Sequence, residues 1–88
     1  MNIKVLGPGC ARCQQLEKAT RDVVKELGID VTIEDVKDMQ KIVSYQILST
    51  PALVINEQVM FSGKVPNKAE LTQYIVNALD KEDMSKKQ

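Results

Sequence analysis

Histidine and tryptophan are absent from this 88-residue chain, and phenylalanine occurs only once. A closed tetrahedral zinc site within one chain needs four nitrogen or sulfur ligands, and two cysteines without histidine do not supply them. With aromatic residues so few, valine, isoleucine and leucine must fill the core. Net charge is also lacking: twelve lysines and arginines balance twelve aspartates and glutamates. No basic cluster precedes the tail, so the concentrated positive face that a nucleic-acid partner requires is missing. No apolar run approaches the ~20 residues needed to cross a bilayer. The opening segment, Met1 to Pro8, has too short an apolar stretch for a signal peptide. The expectation is therefore a cytoplasmic protein without a membrane partner, in a compartment where thiols are kept mostly reduced.

What is present suffices for one domain with one modest core, since a chain this short buries roughly 60–65% of its unfolded surface. Asn2 to Leu6 reads as a strand, and Gly7-Pro8-Gly9 breaks it at once. Leu16, Ala19, Thr20, Val23, Val24 and Leu27 recur at helical spacing, which predicts a helix from about Cys10 to Leu27, stopped by Gly28. Ile29, Val31 and Ile33 alternate with Asp30, Thr32 and Glu34, the pattern of a half-buried or edge strand. Asp38 can cap a short second helix carrying Met39, Ile42, Val43 and Tyr45. The continuous apolar run Ala52-Leu53-Val54-Ile55 predicts a strand buried on both faces. Asn56-Glu57 turns it into a hairpin with Gln58 to Ser62, although Glu57 suits the positive φ of a type I′ turn poorly. Asn67, with Glu70 three residues on, opens a last helix whose apolar face is Leu71, Tyr74, Ile75, Ala78 and Leu79. The polar residues from Asp80 onward read as a frayed tail, giving a domain over 1–79 and a disordered tail over 80–88. The order β-α-β-α-β-β-α, read as two parallel crossovers, a hairpin and a helix, predicts an α/β fold. Its sheet is four-stranded and mixed, with helices on both faces.

The chemistry concentrates in Cys10-Ala11-Arg12-Cys13. At the start of a helix these cysteines lie on one face, where their Cα atoms can meet the ~5.5–6 Å that a disulfide prefers. A disulfide closing so small a loop constrains the unfolded chain very little, so a structural staple is a poor explanation. At the helix start, unpaired N–H groups and the helix dipole favour the Cys10 thiolate, the form that attacks disulfides. Cys13, one turn deeper, is placed to attack back and release the reduced substrate. Arg12 either adds positive charge beside Cys10, lowering its pKa, or extends into solvent. The rival reading is a soft-metal site on the two thiolates, as in metal-carrying domains with the order β-α-β-β-α-β. A dimer pooling four thiolates stays open, and so does a binding module that performs no chemistry.

With Cys10-Ala11-Arg12-Cys13 after the first strand and Ser49-Thr50-Pro51 before the third, the chain resembles the thioredoxin superfamily over about residues 2 to 79. It is most similar to the small redox-active disulfide members that lack the extra N-terminal strand and helix. The resemblance implies a three-layer thioredoxin-like fold and thiol–disulfide oxidoreductase activity. It also implies a cis Thr50–Pro51 bond facing the cysteines, with Thr50 offering backbone hydrogen bonds to an extended substrate segment. The expected partners are a protein disulfide or mixed disulfide and an unidentified reductase or dithiol donor. No organic cofactor or metal is expected, because the electrons reside on the two sulfurs. The chain departs from thioredoxin in three places near the site. Ala-Arg replaces Gly-Pro between the cysteines, Gly9 stands where thioredoxin has tryptophan, and Lys4 stands where it has a buried acid. Gln46 also occupies a position where the small relatives often carry glycine.

Overall fold

The computed structural model describes residues 1–86, with side chains through Lys81. The elements are β1 (Asn2–Leu6), α1 (Ala11–Leu27), β2 (Thr32–Val36), α2 (Met39–Ser44), β3 (Ala52–Ile55), β4 (Gln58–Ser62) and α3 (Lys68–Lys86). The four strands form one sheet in the order β2-β1-β3-β4. β1 and β2 are parallel, with Asn2 opposite Thr32 and Leu6 opposite Val36. β3 runs antiparallel to both β1 and β4. This is the expected mixed α/β sheet, but it contains one parallel crossover where two were expected. A six-residue helix such as α2 rises only about 9 Å, against about 17 Å for a five-residue strand. The chain therefore stays at the end of the sheet where β2 stops and enters β3 there, with Ala52 opposite Leu6.

Alternation along the strands sorts the side chains into two cores. Ile3 and Val5 of β1, Leu53 and Ile55 of β3, and Phe61 of β4 pack with Leu16 and Val23 of α1 and Leu71 and Ile75 of α3. On the opposite face Leu6, Val36, Ala52 and Val54 pack with Ile42 of α2. Helices thus cover both faces, and β3 is buried along its whole length, as its unbroken apolar run requires. The aliphatic side chains fill both clusters, in keeping with the shortage of aromatics.

Local signals set the element ends. Gly28 takes the left-handed conformation at φ 65° and its N–H closes α1 on the carbonyls of Val24 and Lys25. Asp38 caps α2, its carboxylate accepting from the Gln40 N–H at 2.9 Å. Gln46 leaves α2 at φ 60°, so a side chain occupies the left-handed position that glycine would take at lower cost. Asn67 Oδ1 accepts from the Glu70 N–H at 2.8 Å at the start of α3. That helix continues to Lys86, past Leu79 where the sequence reading ended it. No glycine or proline follows Leu79, and charged long-chain residues propagate a helix readily. Residues 87 and 88 of the expected tail lie outside the described ones.

Candidate active site

The first strand delivers its chain to the sheet end at Leu6, where the Gly7 N–H donates to the Val36 carbonyl at 2.9 Å. The turn Gly7-Pro8-Gly9 then redirects the backbone into α1, with Gly9 at φ 101°, a conformation that side chains resist. Cys10 becomes the N-cap of α1: its sulfur accepts from the Cys13 N–H at 3.2 Å, and its carbonyl accepts from the Gln14 N–H at 3.0 Å. Capping puts the Cys10 sulfur where the orphan N–H groups of the helix stabilise negative charge. Cys10 is exposed, whereas Cys13, one turn in, is 4% exposed. The two are joined as a disulfide with Cα atoms 5.1 Å apart. The pair therefore has the asymmetry that dithiol exchange uses, one sulfur open to a partner and one enclosed.

The second half of the site comes from the segment before β3. The Thr50–Pro51 bond is cis, as the resemblance implied. Pro51 is fully buried, and its carbonyl accepts from the Gly63 N–H at 2.8 Å. A Cβ built on Gly7 would overlap the Cys13 sulfur and lie 4.0 Å from the Pro51 Cα, so Gly7, Cys13 and Pro51 meet at one point. Thr50 is half-exposed beside them. Among the described residues its backbone groups make no hydrogen bond to other backbone groups. Arg12 is exposed in the first turn of α1 and has no ion pair among the described residues. The structure thus brings Cys10, Cys13 and Pro51 together with Thr50 at the rim, and leaves Arg12 facing outward.

Lys4 lies on the opposite face of the sheet from Cys13. Its Nζ donates to Tyr45 Oη at 3.0 Å and to Glu57 Oε1 at 2.6 Å, and Tyr45 Oη also donates to Glu57 Oε2 at 3.1 Å. These partners hold the lysine proton more firmly than usual, the Glu57 bond acting most strongly. They also keep the Glu57 carboxyl below its ordinary range, through the Lys4 bond first and the Tyr45 bond second.

Sequence reading missed an acidic pair next to Cys13. Asp35 of β2 pairs with Val5 and so points to the α1 side of the sheet, where it is hydrogen-bonded to Glu17. Burial, and then the Glu17 bond, raise the Asp35 carboxyl above its usual range, while Arg21 and Lys37 oppose the rise. Glu17 shifts the other way, chiefly through its bond to Asp35. A signal was present, because Asp35 continues the inward parity of Ile33, but the strand had been read as ending at Glu34. Glu17 follows Cys13 by four residues on α1 and therefore shares its face.

A parallel β1–β2 pair, a helix capped by an exposed cysteine and a cis-proline beside a buried one define a thiol–disulfide oxidoreductase of the thioredoxin-like class. Comparison with known proteins agrees. The family model for the thioredoxin domain matches residues 1–76. A thioredoxin of Methanothermobacter thermautotrophicus is 39% identical over 75 residues, covering 85% of this chain and 97% of the relative. A thioredoxin of Methanocaldococcus jannaschii is 31% identical over 78 residues, covering 89% and 90%. A probable thioredoxin of Archaeoglobus fulgidus is 34% identical over 71 residues, covering 77% of each chain. The chain belongs to the thioredoxin family.

The soft-metal alternative gains no support from the fold. The hairpin follows Pro51 and not α1, unlike the order of metal-carrying domains. Among the described residues no group of three or more cysteine, histidine, aspartate or glutamate side chains is arranged to hold a metal ion. No helix among them is long and apolar enough to cross a membrane.

Proposed function

We propose that Cys10 attacks a disulfide of a protein substrate and that Cys13 resolves the resulting mixed disulfide. The observation that carries this reading is the pairing of an exposed, helix-capping Cys10 sulfur with a buried Cys13. In the first step the Cys10 thiolate forms a bond to one substrate sulfur and the other leaves as thiolate. In the second, Cys13 displaces the first sulfur from Cys10, closing the Cys10–Cys13 disulfide and completing a two-electron reduction of the substrate.

An extended segment of the substrate lies along Thr50 and Pro51, taking backbone hydrogen bonds from Thr50. Support comes from the backbone groups of Thr50, which pair with no other backbone group among the described residues. Arg12, exposed in the first turn of α1, adds positive potential near the attacking sulfur and favours its thiolate. No organic cofactor takes part, and an external reductase or dithiol donor regenerates the thiols. We place the activity in the cytoplasm, where the surrounding thiol pool sustains the reduced form. Residues 1–79 are taken as the working domain.

The test is trapping with a protein disulfide substrate. Cys13→Ser should accumulate a covalent mixed disulfide through Cys10, released by added dithiol, while Cys10→Ser should form none and lose turnover. Adducts through Cys13 in preference to Cys10, or turnover retained by Cys10→Ser, would reverse the assignment.

A further inference from the structure

At the end of the sheet remote from the cysteines, a cavity of about 430 Å³ opens between α3 and the β3–β4 hairpin. Ala52 of β3 stands opposite Leu6, which leads toward Cys10, whereas Ile55 stands opposite Ile3 near the other end of β1. Ile55, Met60, Tyr74 and Ala78 give the cavity its apolar surface, and Gln58, Asn77 and Lys81 add polar groups. This volume, with a mostly apolar lining and a few polar groups, is that of a small-molecule site. The Tyr74 ring is fixed from behind, 5.0 Å from the ring of Phe61, and its Oη accepts from Lys64 Nζ at 3.3 Å.

The polar groups of the lining share one character. Asn77 Oδ1 accepts from Gln73 Nε2 at 2.9 Å, and Gln58 Oε1 accepts from Lys81 Nζ at 3.3 Å. With both amide oxygens engaged, the two side-chain NH₂ groups and the rest of the Lys81 ammonium remain as donors. Lys81 makes no ion pair among the described residues, and no carboxylate lines the cavity. Glu57 is close in sequence but is held by Lys4 and Tyr45, and Lys4 pairs with Val54 of the second core, on the opposite face of the sheet from Ile55. Glu70 lines a neighbouring cavity, about 16 Å before Lys81 along α3.

We propose that this cavity binds a small monocarboxylate with an apolar body. The carboxylate accepts from Lys81 Nζ and from the side-chain amides of Gln58 and Asn77, and the body lies against Ile55, Met60 and Ala78. A carboxylate is acceptor-only, so it matches a set of donors, and its bond to an ammonium is of the stronger, charge-assisted kind. One lysine balances one negative charge, which favours a carboxylate over a doubly charged phosphate. The site is separate from the cysteine pair, so occupancy does not depend on the thiol chemistry.

The experiment titrates the isotope-labelled full chain, in its disulfide form at neutral pH, with sodium hexanoate and follows the backbone amide resonances. Saturable shifts should appear at residues 55–60 and 74–81, with half-saturation below about 5 mM, while residues 7–13 stay unmoved. Hexanamide keeps the apolar body without the charge, and acetate keeps the charge without the body. Each should bind at least about 10-fold more weakly than hexanoate. Lys81→Gln, a change at an exposed position, should weaken hexanoate at least about 5-fold, and Lys81→Arg should retain it. Absence of saturable shifts, or shifts centred outside the cavity, overturns the proposal. So does binding of hexanamide or acetate as tight as that of hexanoate, or unchanged binding by Lys81→Gln.

Discussion

Gly7 and Cys13 pack so closely that a single methyl group added at residue 7 would overlap the Cys13 sulfur. The glycine is therefore required by the site and not only by the turn. Gly7→Ala should destabilise the protein by about 1–3 kcal/mol through overpacking, read from the denaturant midpoint. Gly9→Ala provides the contrast, since nothing lies within 4 Å of a Cβ there and φ is 101°. Its penalty comes from the backbone alone and should leave the reactivity of Cys13 unaltered. A Gly7→Ala protein as stable and reactive as the parent would refute the close packing.

The Lys4–Glu57–Tyr45 cluster ties the hairpin turn to α2 and predicts a definite pH dependence. Glu57 has its proton affinity lowered by Lys4, so its contribution is present above its ordinary value of 4.5 and is lost as pH falls through the folded-state value. Lys4 has its affinity raised, so its contribution is complete below its ordinary value of 10.5 and is lost only at strongly alkaline pH. Glu57→Gln should thus lower the denaturant midpoint at neutral pH and match the parent in strong acid, below the folded-state value of Glu57. Because Glu57 sits at φ 68°, Glu57→Gly relieves the left-handed strain that Glu57→Gln retains and should be the more stable of the two.

Asp35 carries the opposite sign. Its folded-state proton affinity is raised, so its contribution to stability is largest at low pH and falls as pH rises through the folded value. Its ionised form is the one that the fold disfavours. Asp35→Asn should therefore melt at a higher temperature than the parent at neutral pH, with the gap closing in acid. A variant less stable than the parent at neutral pH would contradict the burial argument.

Two leucines test the layer assignment. Leu16 is 0% exposed and Leu48 is 101% exposed. Leu16→Ala should cost about 2–5 kcal/mol in denaturant unfolding. Leu48→Ala should stay within about 0.5 kcal/mol of the parent.

The parts of this fold that were legible in the sequence are those where one local signal fixes one element. Ala52 to Ile55 is an unbroken apolar run and forms a doubly buried strand; Gly28 and Asp38 take the cap positions their residue types suggest. The cysteine pair was legible because spacing and a helix start together specify its chemistry. Strand two was less so. Ile29, Val31 and Ile33 do pack against the core, but pairing with β1 begins at Thr32. Alternation reports burial, whereas hydrogen-bond register decides where a strand lies, and the two differ here by enough to hide Asp35. The direction of β3 was hidden too, because it depends on how far α2 carries the chain. Glu57 and Gln46 adopt positive φ against their own preference, and for Glu57 distant partners hold the side chain, Lys4 and Tyr45.

The most direct test of the account is a redox equilibrium. The purified protein is equilibrated in graded dithiol–disulfide buffers, and its free thiols are counted by alkylation and mass. The account predicts one reversible two-electron transition between Cys10 and Cys13, at a potential of roughly −300 to −150 mV. A pair that never closes, or closes only after a tightly bound metal ion is stripped away, would contradict it.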